Sequence, residues 1–309
     1  MKTMKNIKIA VAYHKEAKYA NNDMFIPIQV GAANANQDLG IQKDSDGNNI
    51  SRYNPYCCEL SATYWLWKNI FDADYYGLCH YRRFFTFEKG SLKIIPHLVY
   101  LGSKAMSSFV VDSRFTLSES ECFSVSENEF ENHLKVFSQN LSAYLEQNNT
   151  DCFCLKKTKM STYSCKTKLM KAIGLYNYNK LEDIIKIEHP DFYPFFMKTM
   201  QDNSYNPCNM LIASKEVFNE YATLLFSIIG KYHDWITNSE SRIINNAALR
   251  SSGYMGEFIT SAFIMYLREK GLVVKELNAM GVSIASTGLS QTTDGLCDRI
   301  KQLLGGGKL

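Results

Sequence analysis

DADYYGLCHYRRFF, running from Asp72 to Phe85, is the stretch that decides the fold. Two carboxylates, Asp72 and Asp74, come first. Tyr75–His80 is then an apolar run that reads as a buried strand. It delivers His80, Arg82 and Arg83 within four positions. In open α/β sheets ligands bind beyond the carboxyl ends of the strands, so a strand ending in cations predicts an anion site there. Paired guanidiniums suit a planar polyanion such as a diphosphate. The competing reading of Arg82 and Arg83 is a pair of surface salt bridges, although Phe84 and Phe85 follow at once and exclude a long solvated face. His80 has three readings: a donor to the same anion, an acid/base, or a structural hydrogen bond at a strand end.

Working outward, Ile7–Tyr13 (IKIAVAY) is nearly continuous in apolar residues, the pattern of a strand buried on both faces. It ends in Tyr13, His14 and Lys15, which would stack a base and meet a phosphate, or would be a solvated strand end. Residues 25–30 form a second short strand, and residues 37–51 a turn-rich polar loop. Asn54-Pro55 opens a helix over residues 56–70, with Pro55 in the tolerated first turn. Strand, loop, helix and strand in this order predict an α/β sheet. Further along, a helix is expected over residues 127–145, a polar loop or lid over 148–171, and short helices over 180–187 and 190–201. Residues 209–213 read as a strand and 215–230 as a helix capped by Ser214. A break at 253–256 precedes a helix over 257–270 and a short strand at 272–274. An amphipathic tail helix is expected over 292–304, followed by a GGGKL stretch that reads as a frayed end.

Composition narrows the function classes. The 309 residues carry a net charge of +3, with 46% apolar and 21% charged residues, as in ordinary globular proteins. That charge is too small to imply nucleic acid, and no RNA- or DNA-binding signature is present. The 19 tyrosines and 18 phenylalanines are a surplus that core packing or a stacking surface would explain. Nine scattered cysteines, an odd number, fit reduced buried thiols rather than a disulfide framework. The amino-terminal apolar run is too short for a signal peptide, and no run of ~18 apolar residues exists, so a cytoplasmic protein is expected.

The remaining candidates are carboxylates and loops. Asp72 and Asp74 form a DxD of the kind that GT-A nucleotide-sugar enzymes use to hold Mg²⁺ or Mn²⁺, but such a DxD follows its strand, and this one precedes it. They stand as weak metal candidates beside a plain turn reading. The loop Asp44, Asp46, Gly47, Asn48, Asn49 lacks the glutamate of an EF-hand, which leaves a polar ligand loop or a turn. Glu257 is a helix-start carboxylate, either a cap or a base to a sugar hydroxyl. His233-Asp234 is a second acid/base candidate. No nucleophile elbow, dinucleotide fingerprint or P-loop occurs.

Taken together, KIAVAYHK, FIPIQVGA, ELSATYWLWKN and GLCHYRRFF, with PCNMLIASKEVFNEY and GYMGEFITSAFIMYL later, resemble a bacterial family known as a domain of unknown function. Its members are associated with capsule and lipopolysaccharide O-antigen gene clusters and are taken to be glycosyltransferases. The resemblance covers roughly residues 7–267. It departs where Ser45 and Asn48 replace acidic residues and where Phe258 stands in place of a basic one. The resemblance implies a GT-A-like, Rossmann-type mixed sheet flanked by helices, with a helical acceptor side. It implies one domain over 1–290, with a nucleotide half to about residue 115, an acceptor half from 116, and a tail over 291–309. The implied reaction moves a hexose, of galactose type, from a UDP-sugar to a lipid-linked or oligosaccharide acceptor, at most with peripheral membrane contact at its inner face. On this reading Tyr13, His14, Lys15, Arg82, Arg83, Asn49 and Asn209 bind the sugar donor. Glu257, Asp234 and His80 carry catalysis, and no metal is required. The alternative is a non-catalytic sugar- or polysaccharide-binding subunit of a glycan assembly complex.

Overall fold

The computed structural model describes residues 5–88, 123–160, 162–238 and 249–283. The expected tail helix over 292–304 lies outside them. Strand β1 (Ile7–Tyr13) sits between β2 (Phe25–Gln29) and β4 (Tyr75–His80), parallel to both, and β3 (Gln42–Lys43) extends the parallel edge beyond β2. The other edge of β4 is shared. β10 (Leu211–Ser214) pairs antiparallel with it over Tyr75–Gly77, and β5 (Arg83–Thr86) returns along it from His80 through the tight turn Tyr81-Arg82. The sheet continues through β7 (Cys152–Leu155) to β11 (Val274–Ser283), which also pairs with β5 and with β6 (Phe123–Ser126). Nine strands form this mixed sheet among the described residues, and β8 (Thr158–Lys159) and β9 (Ser204–Tyr205) form a separate small ribbon.

Residue alternation explains why β1 and β4 lie at the centre. Ala10, Ala12, Tyr76 and Leu78 face one core, and Ile9, Val11, Tyr13 and Cys79 face the other. The first core is covered by α1 (Asn54–Cys57), α2 (Leu60–Asn69), α4 (Cys165–Ile173), α5 (Leu175–Glu188), α6 (Tyr193–Gln201), α7 (Lys215–Asn238) and α8 (Ser251–Glu269). The second is covered by α3 (Glu127–Gln147), which buries Phe130, Leu134, Phe137, Leu141 and Leu145 at helical spacing. A capping box starts α3: the Ser126 N–H and hydroxyl both donate to Glu129 Oε2. Gly77 is where β10 crosses close to β4. A Cβ there would stand 2.7 Å from Ile212 Cγ1 and 2.9 Å from the Leu211 carbonyl oxygen.

Several local expectations differ from the structure. The helix after Asn54-Pro55 breaks at Cys58, whose φ of 51° is left-handed, and restarts as α2. The stretch 148–171 is β7, β8 and the start of α4 rather than a loop. Cys152 and Cys154 are buried strand residues whose thiols burial pushes up, to about 12 for Cys154, and no His/Cys/Asp/Glu group able to hold a metal ion is found among the described residues. Gly253 and Gly256 do not break the chain but lie inside α8, which starts at Ser251. Part of the aromatic surplus is core: Tyr13, Tyr178, Tyr221, Tyr232 and Phe153 are among the largest fully buried side chains of the described residues, whereas Tyr53, Phe71 and Tyr176 are exposed. Among the described residues no helix is long and apolar enough to cross a membrane.

Candidate active site

The parallel register of β1 and β4 sets Ala12 beside His80, so the segments after both strands emerge side by side. The Tyr81 N–H donates to the Ala12 carbonyl at 3.1 Å. The Tyr81 ring is a hub for cations. The His14 ring lies edge-on at 4.9 Å, Lys15 Nζ is 5.8 Å from its centroid, and the Arg82 guanidinium 4.9 Å. Arg82 Nε is buried without a hydrogen-bond partner. Burial lowers the His14 pKa below its ordinary value, and the charges of Lys15, Arg250, Arg82 and His80 add to the effect. Arg250 therefore belongs to the same positive arc. It caps α8 in a left-handed conformation, φ 62°, with its N–H on the Pro55 carbonyl.

The second wall of the cleft is acidic and is organised by one turn. Beyond Gly77 β4 parts from β10, and the chain before β10 makes two successive left-handed residues, Cys208 (φ 72°) and Asn209 (φ 54°). His80 Nε2 lies 2.7 Å from the Cys208 carbonyl oxygen, so this nitrogen carries a proton and donates. The Cys208 N–H donates to Glu257 Oε1 at 2.9 Å. Asn209 Nδ2 donates to Glu59 Oε1 at 2.6 Å and to the Gly253 carbonyl at 3.0 Å. His80 Nε2 stands 3.8 Å from Glu59 Oε1. Arg83, on the exposed start of β5, donates from Nη1 to Cys208 Sγ at 3.3 Å, and burial pushes this thiol up to about 12. Glu257 is half-buried. Burial raises its pKa above the ordinary carboxylate value, and the Lys168 ammonium and the Cys208 N–H act the other way. Burial lowers the pKa of Lys168, which donates to the Tyr205 hydroxyl.

Glycines permit this approach of α8 to the turn. A Cβ at Gly256 would lie 2.6 Å from Asn209 Oδ1, and one at Gly253 would lie 3.1 Å from Cys58 Sγ.

The structure thus brings together His14, Lys15, His80, Arg82, Arg83, Asn209 and Glu257. The other candidates lie elsewhere. Tyr13 is fully buried, and its hydroxyl is used by the Ala20 N–H and the Lys18 carbonyl, so the core takes its ring. Asn49 ties its own loop, donating to the Ser45 and Gly47 carbonyls and accepting from the Ser51 N–H. Asp44 in that loop is buried and accepts from the Gly31 and Ala32 N–H groups. Asp234 is exposed near the end of α7, and its carboxylate makes no hydrogen bond or ion pair among the described residues. Asp72 and Asp74 lie at the amino end of β4, opposite the cleft. There Asp74 accepts the Asn6 N–H at 2.8 Å, and the Asp72 carbonyl accepts the Asn6 amide. This pair does not fit a metal site of the cleft.

Glu59, Arg250, Lys168 and Tyr205 were not predicted. Glu59 is visible in sequence only as one more residue of a long helix. The left-handed Cys58 that places it at the start of α2 has no sequence signal, since cysteine is not a residue that favours positive φ.

Among solved structures, the chain resembles the apo structure of WbbM, a bifunctional glycosyltransferase, with a TM-score of 0.72 and 24% sequence identity. The match covers 92% of this chain and 47% of that one, so the chain spans about half the length of the protein it matches. At this identity the likeness establishes the shared fold. No curated protein matches the chain. Residues 8–269 match the family described as a domain of unknown function, DUF4422, and the chain belongs to that family.

Proposed function

We propose that the protein is a glycosyltransferase of GT-A-like architecture that moves a hexose, of galactose type, from a UDP-sugar to a saccharide acceptor in capsule or O-antigen synthesis. One observation carries the reading. At the carboxyl edge of β1 and β4, the cations Lys15, Arg82 and Arg83, with the His14 ring beside them, meet a wall holding His80 and Glu257, in a fold shared with a glycosyltransferase. In an open α/β sheet this edge is the ligand crevice.

In the proposed reaction, the bond between the anomeric carbon and the diphosphate oxygen breaks, and a glycosidic bond to the acceptor oxygen forms. Arg82 and Arg83 stabilise the charge that builds on the leaving diphosphate, a preorganised electrostatic role. Glu257 receives the proton of the acceptor hydroxyl. Its pKa, raised by burial, brings its basicity closer to working pH than that of an ordinary carboxylate. The guanidiniums take the role a divalent ion holds in DxD enzymes, so turnover should survive EDTA. A lipid-linked acceptor would bring the protein to the inner membrane face as a peripheral visitor.

The test is incubation with a panel of nucleoside-diphosphate sugars, following free nucleotide by coupled assay and product by mass spectrometry. Slow hydrolysis of one sugar donor, accelerated by an acceptor saccharide, is the expected result. No turnover and no binding of any sugar nucleotide would overturn the proposal and favour a non-catalytic glycan-binding subunit.

A further inference from the structure

Glu59 and the buried amide of Asn209 have no part in the cationic arc, yet they are fixed as firmly as any group in the cleft. Asn209 is 1% exposed. Both of its amide hydrogens are in use, one on Glu59 Oε1 and one on the Gly253 carbonyl, so the amide orientation is set. Its Oδ1 is buried without a partner and faces Gly256, where a Cβ would close the approach to 2.6 Å. An unpaired buried acceptor is costly unless something donates to it.

Glu257 is anchored through one oxygen to the Cys208 N–H, and Glu59 through one oxygen to Asn209, the next residue of the same turn. Neither second carboxylate oxygen makes a protein hydrogen bond among the described residues, and neither is a buried orphan. The result is a pair of acceptors held at fixed positions, the second carboxylate oxygens of Glu59 and Glu257; the Asn209 amide oxygen, covered by Gly256, anchors the turn and is not offered to a ligand. Such a wall repels phosphate and carboxylate groups and accepts from hydroxyls. The cations around Tyr81 do the reverse.

We propose that Glu59, held by Asn209, is a specificity-determining residue that reads hydroxyl groups of a neutral sugar and excludes acidic sugars from the same position. This rests on the nucleotide-sugar reading of the cleft and deepens it. A donor would lie with its diphosphate toward Arg82 and its hexose toward Glu59 and Glu257. A uronic acid in that position would set a carboxylate against two others, and like charges brought together in a half-buried site are strongly disfavoured.

The experiment compares matched pairs, UDP-galactose with UDP-galacturonic acid and UDP-glucose with UDP-glucuronic acid, by calorimetric binding to the intact protein. Bare UDP is the reference ligand. The expected result is that UDP binds, that the better neutral donor binds roughly 10-fold or more tighter than its uronic partner, and that Glu59→Gln narrows this ratio by about 10-fold while weakening the neutral donor. Glutamine keeps the oxygen that Asn209 needs, and thermal unfolding checks that the variant is folded. If it is not, the wild-type ratio alone decides. UDP binding with no preference for the neutral sugar, or an unchanged ratio in Glu59→Gln, overturns this inference and leaves the nucleotide site standing. Failure of UDP itself to bind overturns both.

Discussion

Replacing Asn209 tests the turn on which the acidic wall depends. Two variants separate its side chain from its backbone. In Asn209→Gly the left-handed φ of 54° is kept at no steric cost, and the amide is lost. The amide makes one hydrogen bond to a carboxylate, a type that contributes about 1.5–3 kcal/mol, and one to the Gly253 carbonyl, contributing about 0.5–1.5 kcal/mol. The sum, about 2–4.5 kcal/mol, is an upper figure, because water can replace the partner at half-buried Glu59 and because the variant also removes the buried, unpaired Oδ1. In Asn209→Ala the same bonds go, and a Cβ must also sit in the left-handed region, at about 1–2 kcal/mol. Alanine recovers about 0.4–1 kcal/mol relative to glycine through the unfolded chain. The alanine variant should therefore be the less stable of the two by up to about 1.6 kcal/mol, the reverse of the order at ordinary positions. Urea unfolding of the three proteins, compared at equal slope, measures these differences. An alanine variant as stable as the wild type would refute the bonding account. An alanine variant clearly more stable than the glycine variant would refute the left-handed turn.

Other outcomes follow from the same geometry. Arg82→Ala and Arg83→Ala should each weaken UDP binding roughly 10- to 100-fold, and high salt should weaken wild-type binding in the same direction. Unchanged affinity in both variants would remove the cationic arc from the site. Glu257→Gln should lower turnover at least about 100-fold. Its effect on stability has a definite sign. Because the folded carboxyl titrates above its unfolded value, its contribution is fully present below the ordinary carboxylate range and is lost as pH rises through the folded pKa. The glutamine variant should thus be more stable than wild type at neutral pH and no more stable near pH 4, and equal melting curves at both pH values would count against burial as the cause. Asp72→Asn with Asp74→Asn should leave turnover within about 2-fold and insensitive to EDTA, because both groups lie at the far edge of the sheet. Loss of activity that Mn²⁺ restores would return them to the site.

The order of elements was legible because it depends on local pattern. The nearly continuous apolar run of Ile7–Tyr13 reads as a strand covered on both sides, and both cores do cover it. The Tyr75–His80 run followed by Arg82 and Arg83 placed cations at a strand end, and the register of β4 on β1 put His14 and Lys15 beside them. Tyr13 misled because strand alternation was not followed to its last residue. It shares a face with Ile9 and Val11, so its ring goes into the core while His14 is the first residue outside. Residues 148–171 misled because their lysines mask two short strands whose partners are far away in the chain: β7 pairs with Leu211–Ala213 and Val274–Leu277, and β8 with Ser204–Tyr205.

What the sequence determined by itself is the α/β sheet, its buried centre and the positive charge at its carboxyl edge, since strand periodicity and the chemistry of the terminal residues are local properties. What only the tertiary structure decided is the acidic wall. Glu59 and Glu257 are 198 positions apart and meet through two left-handed residues at 208 and 209, across an α8 that glycines let in close. No local pattern encodes that meeting, because it depends on backbone N–H and amide groups whose partners are chosen by packing.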